Sequence, residues 1–285
     1  MSKTHRAEIL LFLAALVWGY SFVAQRIGAQ YLGALTFNGL RFALGATVLY
    51  PWARRYPLQT RAFWGAALPA GGILFGAAFL QQYGVTFTTA GNAGFITGLY
   101  VALTPILGRF LGMRTSRRAW AAVALAVLGL YFLSVRADLT FAIGDVWVLA
   151  SAFLWAAHVL YLSHKTQQVA PVALAFGQFA VCAVLSLLFG VFFEPIRAGA
   201  VWQAGAAIAY GGLISVGVGY TLQAIGQKDA PPTRAALILS LESPLALLSG
   251  AVALAELVTL RQLWGCGLML AGTFLAVSED TQQNT

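Results

Sequence analysis

Long apolar runs, punctuated by short polar or Gly/Pro-rich stretches, dominate the chain. No charged residue occurs from Ile9 to Gln25, from Ala62 to Gly108, from Thr166 to Phe193 or from Ala198 to Gln227. A helix needs roughly 20 apolar residues to cross a hydrocarbon layer about 30 Å thick. Bounding the runs by charges, Pro/Gly clusters and polar turns predicts helices over 7–27, 33–53, 63–84, 90–110, 117–135, 142–163, 170–190, 201–224, 232–253 and 259–278. The 62–108 run is too long for one helix and too short for three, and it divides near Thr86–Gly91, where Thr, Gly and Asn gather. The pattern predicts an all-α integral membrane protein of about ten transmembrane helices.

Composition excludes a water-soluble domain. Only 9% of the residues are charged and 60% are apolar, whereas an average soluble domain carries roughly 25% charged residues. The net charge of +8 forms no basic patch on a soluble face, so no nucleic acid is expected. Short basic loops on one side of a membrane account for it. With a cytoplasmic N-terminus, the inside holds Lys3, Arg6, Arg54, Arg55, Arg61, Arg114, Arg117, Arg118, Lys165, Lys228 and Arg234. The outside holds Arg26, Arg136, Arg197 and Arg261. This imbalance puts both termini inside. The first run holds Trp18, Tyr20 and Phe22 and lacks a small-x-small cleavage site, so it reads as a retained helix rather than a signal peptide. Cys182 and Cys266 sit in apolar runs without CxxC or Cys/His spacing and read as free thiols, with no metal implied.

The chain also looks duplicated. Trp18 aligns with Trp155, Gln82 with Gln223, Pro105 with Pro244 and Gly129 with Gly272, at offsets of 137, 141, 139 and 143. One register with small loop changes divides the chain into 1–137 and 138–285, five helices each. An odd number makes the second copy cross in the opposite sense, and the alternating basic loops agree. Inverted repeats with a site near the midplane are a transporter architecture.

Several runs resemble a known family. Trp18-Gly19-x-Ser21-Phe22, Leu40-Arg41-Phe42, Thr233-Arg234-Ala235-Ala236-Leu237 leading into Leu241-Glu242-Ser243-Pro244, and Ala255-Glu256 stand in the order and spacing of the EamA-type family of the drug/metabolite transporter superfamily. The resemblance covers about residues 8 to 277. It implies ten helices in two inverted repeats, a bacterial inner-membrane location and transport of small metabolites, amino acids among them. It also implies that the first, third and fourth helices of each copy line a central cavity and that the fifth lies outside. Gly112-Met113 departs from the Gly-Glu pair common at the end of the family's first repeat, so any role of that acid rests on Glu256.

Candidate site residues follow from polar groups placed deep in apolar runs. Glu242 lies about ten residues into its helix, or about 15 Å at 1.5 Å per residue, close to mid-bilayer. A carboxylate there must be protonated, paired or facing a wet cavity. It reads either as a polar site element or proton acceptor, or as an anchor of neighbouring helices through Arg41 or backbone groups. For Arg41 a structural or snorkelling role is favoured, since the second helix is peripheral in the family. Gln81, Gln82 and Gln223 need partners in an apolar setting, and their repeat relation places them across a cavity, with interhelical glue as the alternative. Trp18 and Trp155 read as core packing or as paired aromatic walls. His158, Tyr83, Tyr100 and Tyr220 offer polar groups on the same helices. Gly72/Gly76, Gly94/Gly98 and Gly108/Gly112 fit GxxxG and read as packing surfaces.

No P-loop, Rossmann fingerprint, HExxH or GxSxG occurs, so no enzyme and no cofactor is expected. The reading is a secondary transporter of amino acids or related amphiphiles, moving them outward by alternating access. Its expected partners are the small-molecule substrate and the bilayer, with no obligatory protein partner. The alternatives are another metabolite or drug class on the same fold, or a non-transporting regulatory or assembly protein. Reporter fusions at residue 58 and at the C-terminus are both expected to read cytoplasmic; a periplasmic signal at either refutes the charge-based topology.

Overall fold

A computed structural model describes residues 2–88, 90–134, 142–195, 198–254 and 258–278. The described regular elements are all helices. The first half holds α1 (Lys3–Gly28), α2 (Ala34–Ala53), α3 (Arg61–Phe87), α4 (Ala90–Gly98), α5 (Tyr100–Phe110) and α6 (Arg117–Ser134). The second holds α7 (Ile143–Lys165), α8 (Pro171–Phe193), α9 (Ala198–Gln203), α10 (Gly205–Ala209), a π-helical segment Tyr210–Tyr220, α11 (Thr221–Lys228), α12 (Pro232–Leu239), α13 (Glu242–Leu254) and α14 (Leu260–Val277).

Seven stretches among the described residues are long and apolar enough to cross a membrane: Lys3–Gly28, Arg61–Phe87, Ala93–Phe110, Ile143–Lys165, Pro171–Phe193, Gly205–Lys228 and Leu260–Val277. The other expected spans are helical too. However, α2 carries Asn38, Arg41 and Pro51, α6 opens on Arg117 and Arg118, and the 232–253 span is broken at Ser240–Leu241. Large apolar side chains such as Phe12, Leu68, Val184, Phe192 and Phe274 cover the outside. In water such a surface is an interaction liability; against lipid it is the solvent-facing side.

Two breaks stand at matching positions in the halves. Leu99 separates α4 from α5, and Ser240–Leu241 separates α12 from α13. Pro105 and Pro244 follow each break, and a proline removes one ladder donor while crowding the carbonyl four residues earlier. The Ser240 carbonyl instead accepts from Ser243 N–H at 3.1 Å, a tighter turn. Each break leaves a polar residue first in the next helix: Tyr100 in α5 and Glu242 in α13.

Helix pairing is reciprocal between the halves. α1 packs on α13 as α7 packs on α4 and α5, α2 meets α8 near the centre, and α6 lies along α14. Glu194, the residue capping the C-terminus of α8, accepts from Leu35 N–H and Thr36 N–H at 2.8 and 2.7 Å. That carboxylate takes up donors that the first turn of α2 leaves unpaired. The polar network also marks the two ends of α1. Near its start, Glu8 pairs with Arg234 of α12 at 3.2 Å, both buried. Near its end, Arg26 donates to the Val85 and Thr88 carbonyls at 2.9 Å, and the Thr88 hydroxyl donates to Asp145 of α7 at 2.5 Å.

In the first two GxxxG pairs one glycine of each packs closely: a Cβ at Gly76 would lie 2.9 Å from the Leu154 side chain and one at Gly98 2.8 Å from that of Leu130. A Cβ at Gly72 or Gly94 would meet nothing within 4 Å. Close approaches to neighbouring backbone occur at Gly19, Gly84 and Gly144 and at the repeat mates Gly129 and Gly272; Cβ atoms at the last two would lie 2.6 Å from the Gly265 carbonyl oxygen and 2.7 Å from that of Ala122. GxxxG spacing puts two glycines on one face, but which face a neighbour covers is a tertiary matter. Gly129→Ala is expected to force α6 and α14 apart and to destabilise the protein by about 1–3 kcal/mol. Gly72→Ala is expected to stay within about 0.5 kcal/mol of the parent. Thermal melting in detergent checks both.

Candidate functional site

The first, third and fourth helical regions of both halves meet around a central cavity. Its wall is made of Trp18, Ser21, Phe22 and Gln25 from α1, Gln81 from α3, Thr97 and Tyr100 around the first break, and Trp155 and Val159 from α7. Ser215, Tyr220 and Gln223 from the π segment and α11, Leu239 and Glu242 around the second break, and Arg41 from α2 complete it. No residue of α6 or α14 takes part. The space measures about 30 Å³, enough for a water or two and too small for a metabolite.

Aromatic rings form its hub. Tyr220 lies 4.6 Å from Trp18, 5.8 Å from Phe42 and 6.0 Å from Trp155, centroid to centroid. The repeat mates Trp18 and Trp155 thus flank one ring, but their indole N–H groups differ. Trp18 Nε1 donates to the Ser215 carbonyl at 3.2 Å, whereas Trp155 Nε1 has no partner. The acceptor of Trp18 lies in the π segment, and Gly219 lets the indole approach, since a Cβ there would lie 2.6 Å from Nε1. The sequence YGGLISVGVGY carries the glycines but no signal of the π register.

Glu242 is buried on the cavity wall, with the Tyr100 hydroxyl close enough to interact with its carboxyl. Among the described residues its expected pairing with Arg41 does not occur, since the ion pairs within 4.0 Å all involve Glu8. Arg41 does not snorkel either. It is 1% exposed, donates from Nε to Asn38 Oδ1 at 2.9 Å, and lies 5.0 Å from the Phe42 ring centroid, while Nη2 has no partner. The peripheral second helix therefore does deliver a side chain to the cavity, because a long arginine crosses the distance its backbone does not.

Three other expected positions lie elsewhere. Gln81 faces the cavity and donates to Thr97 at 2.9 Å, but each further residue turns about 100° around the helix. Gln82 consequently points at α1, where it donates to the Gln25 carbonyl at 3.1 Å as interhelical glue. Tyr83 reaches the outer surface beside Phe87 and Trp147. His158 turns toward α8 and bonds Gln178 at 2.8 Å. Trp18, Gln81, Tyr100, Trp155, Tyr220, Gln223 and Glu242 do line the cavity. Glu256 lies outside the described residues. Sequence reasoning missed Ser21, Gln25, Thr97 and Ser215. The i, i+3, i+4, i+7 series Trp18, Ser21, Phe22, Gln25 was the available signal, one helix face running through the cavity.

A second, larger space of about 910 Å³ lies at the end bearing Arg109, Lys165 and Lys228, between α3, α5, α7 and the start of α12. Gln227, on its wall, donates to the carbonyl of Val159, a residue of the central cavity, at 3.0 Å.

Comparison with known proteins agrees with this architecture. The EamA-like transporter family matches twice, over residues 5–135 and 142–278. An uncharacterized transporter of Archaeoglobus fulgidus is 31% identical over 94% of this chain and 85% of its own. The threonine/homoserine exporter RhtA of Escherichia coli K12 is 29% identical over 96% of this chain and 92% of its own. A probable amino-acid metabolite efflux pump of Salmonella typhimurium is 25% identical over 94% and 93%. A solved crystal structure shares the fold at a TM-score of 0.78, with 22% identity and 98% of both chains covered.

With Cys182 and Cys266 replaced, single cysteines at 18, 155 and 223 are expected to react with a small water-soluble thiol reagent. Cysteines at 82 and 158 are expected to stay inert. Equal reactivity across the five positions refutes the assignment of faces.

Proposed function

The chain belongs to the EamA-like transporter family, and on that premise we propose that it is a secondary transporter moving small organic metabolites across the bacterial inner membrane. Amino acids or related amphiphiles are the substrates of choice, with export as the direction. The names of the relatives support that class: one exports threonine and homoserine, and another is a probable amino-acid metabolite efflux pump. The observation that carries the reading is the aromatic and polar cavity where both halves meet.

In this reading the chain crosses ten times in two inverted five-helix units, 1–137 and 138–285, with both termini cytoplasmic. The reciprocal helix pairing supports the duplication. Inversion is supported by the hydrogen bonds that put the start of α7 beside the end of α1. Glu8 and Asp145 are repeat mates, 137 positions apart. Glu8 ties the first helix of its unit to the beginning of the other unit's fourth helical region, and Asp145 ties the first helix of its unit to the C-terminal cap of α3, at opposite ends of α1. Alternating access then amounts to releasing one tie while the other holds, with the larger space as the cytoplasmic vestibule.

Proteoliposomes loaded with threonine, homoserine and a wider amino-acid panel are expected to show protein-dependent efflux, and the same solutes should slow labelling of cysteines at 18 and 155. Leak-level flux for every solute refutes the reading in favour of a non-transporting membrane protein. Glu242→Gln is expected to fold like the parent, because no paired cation is stranded, and to remove any dependence of flux on pH. A stable variant with the parent's pH profile eliminates Glu242 as a proton carrier.

A further inference from the structure

Polar atoms buried in an apolar bundle normally find a partner, and those that do not call for an explanation. Of eleven such atoms among the described residues, four belong to residues of the central cavity: the donors Arg41 Nη2 and Trp155 Nε1, and the acceptors Gln25 Oε1 and Gln223 Oε1. The carboxyl of Glu242 faces the same space. A cation and an acid therefore share one small cavity without pairing with each other. Tyr220 stands in the field of both, and its ring packs against Trp18, Phe42 and Trp155.

We propose that the cavity is a two-ended site for a zwitterion, in which Arg41 receives a carboxylate and Glu242 an ammonium group. The inference rests on the transporter reading and adds the chemistry that selects the substrate.

The chemistry of each end leads to this assignment. A guanidinium is a planar fork matched to a carboxylate, and Asn38 occupies only its Nε edge, leaving Nη2 open. The Trp155 indole N–H is a second free donor at the cavity. An ammonium group donates up to three hydrogen bonds and accepts none, which suits Glu242 with the free amide oxygens of Gln25 and Gln223. A purely anionic solute would leave Glu242 unanswered and repelled, and a purely cationic one would do the same to Arg41. The rings of Trp18, Tyr220 and Trp155 offer an apolar middle. The cavity must widen to admit such a molecule. Tyr100 and Glu242 each begin a helix just after a break, so both can move without disrupting a continuous hydrogen-bond ladder.

The full chain in detergent, titrated with phenylalanine, phenylalaninamide, 3-phenylpropanoate and 2-phenylethylamine, tests the proposal through ligand-dependent thermal stabilisation. Phenylalanine is expected to bind at least about tenfold tighter than each compound lacking one charge, a difference of about 1.4 kcal/mol. Arg41→Gln should bind phenylalanine and its amide alike while still preferring phenylalanine to 3-phenylpropanoate. Glu242→Gln should show the opposite pattern. Should Arg41→Gln fail to fold, Arg41→Lys takes its place: it keeps the charge without the fork and should keep the preference at weaker affinity. The proposal is overturned if the amide or the amine binds as tightly as phenylalanine, if no member binds, or if the Arg41 variants keep the parent's affinities. In those cases, protein-dependent flux of some other solute in proteoliposomes leaves the transporter reading standing. Leak-level flux throughout removes both.

Discussion

An unpaired polar group inside an apolar bundle costs free energy that no water is present to recover. That constraint organises this protein. Glu194 reaches from the end of α8 to cap α2, Arg26 takes the last carbonyls of α3, and Gln82 closes onto the backbone of α1. Each is a side chain used to finish what a helix end or an apolar interface leaves open. Four of the atoms left unpaired, on Arg41, Trp155, Gln25 and Gln223, belong to residues of the central cavity.

Two halves, each matched by the family, supply the scaffold, and the differences between them shape the site. Breaks at equivalent positions bring Tyr100 from one half and Glu242 from the other to the same wall. The halves differ where the π segment replaces regular helix. Its Ser215 carbonyl satisfies Trp18, while the mate Trp155 has no partner, so the two related walls have different hydrogen-bonding capacity. Arg41 likewise lines the cavity from the first half. A cavity built from two copies of one unit thereby becomes polar in direction, which a symmetric site could not be.

Some features were legible before any coordinates. Runs free of charge located the helices, because a hydrocarbon layer tolerates little else over about 20 residues. The matched Trp, Gln, Pro and Gly positions located the repeat. Glu242 stood out because it is an acid deep in an apolar run.

Sequence alone could not say which way a side chain turns or whom it meets. Gln81 and Gln82 are chemically identical neighbours, and about 100° of helix rotation sends one to the cavity and the other to a backbone carbonyl. Arg41 and Glu242 were plausible partners by depth, yet packing around Tyr220 keeps both without an ion pair to each other. GxxxG spacing offered glycines, while the closest approaches to neighbouring backbone formed elsewhere, as at Gly84, Gly129, Gly144 and Gly272. Chain periodicity and composition determine which residues can leave water and roughly where each helix runs. The azimuth of each helix, and therefore which polar groups find partners and which remain free for a ligand, is set by contacts between segments more than a hundred residues apart, and only the packed structure decided those.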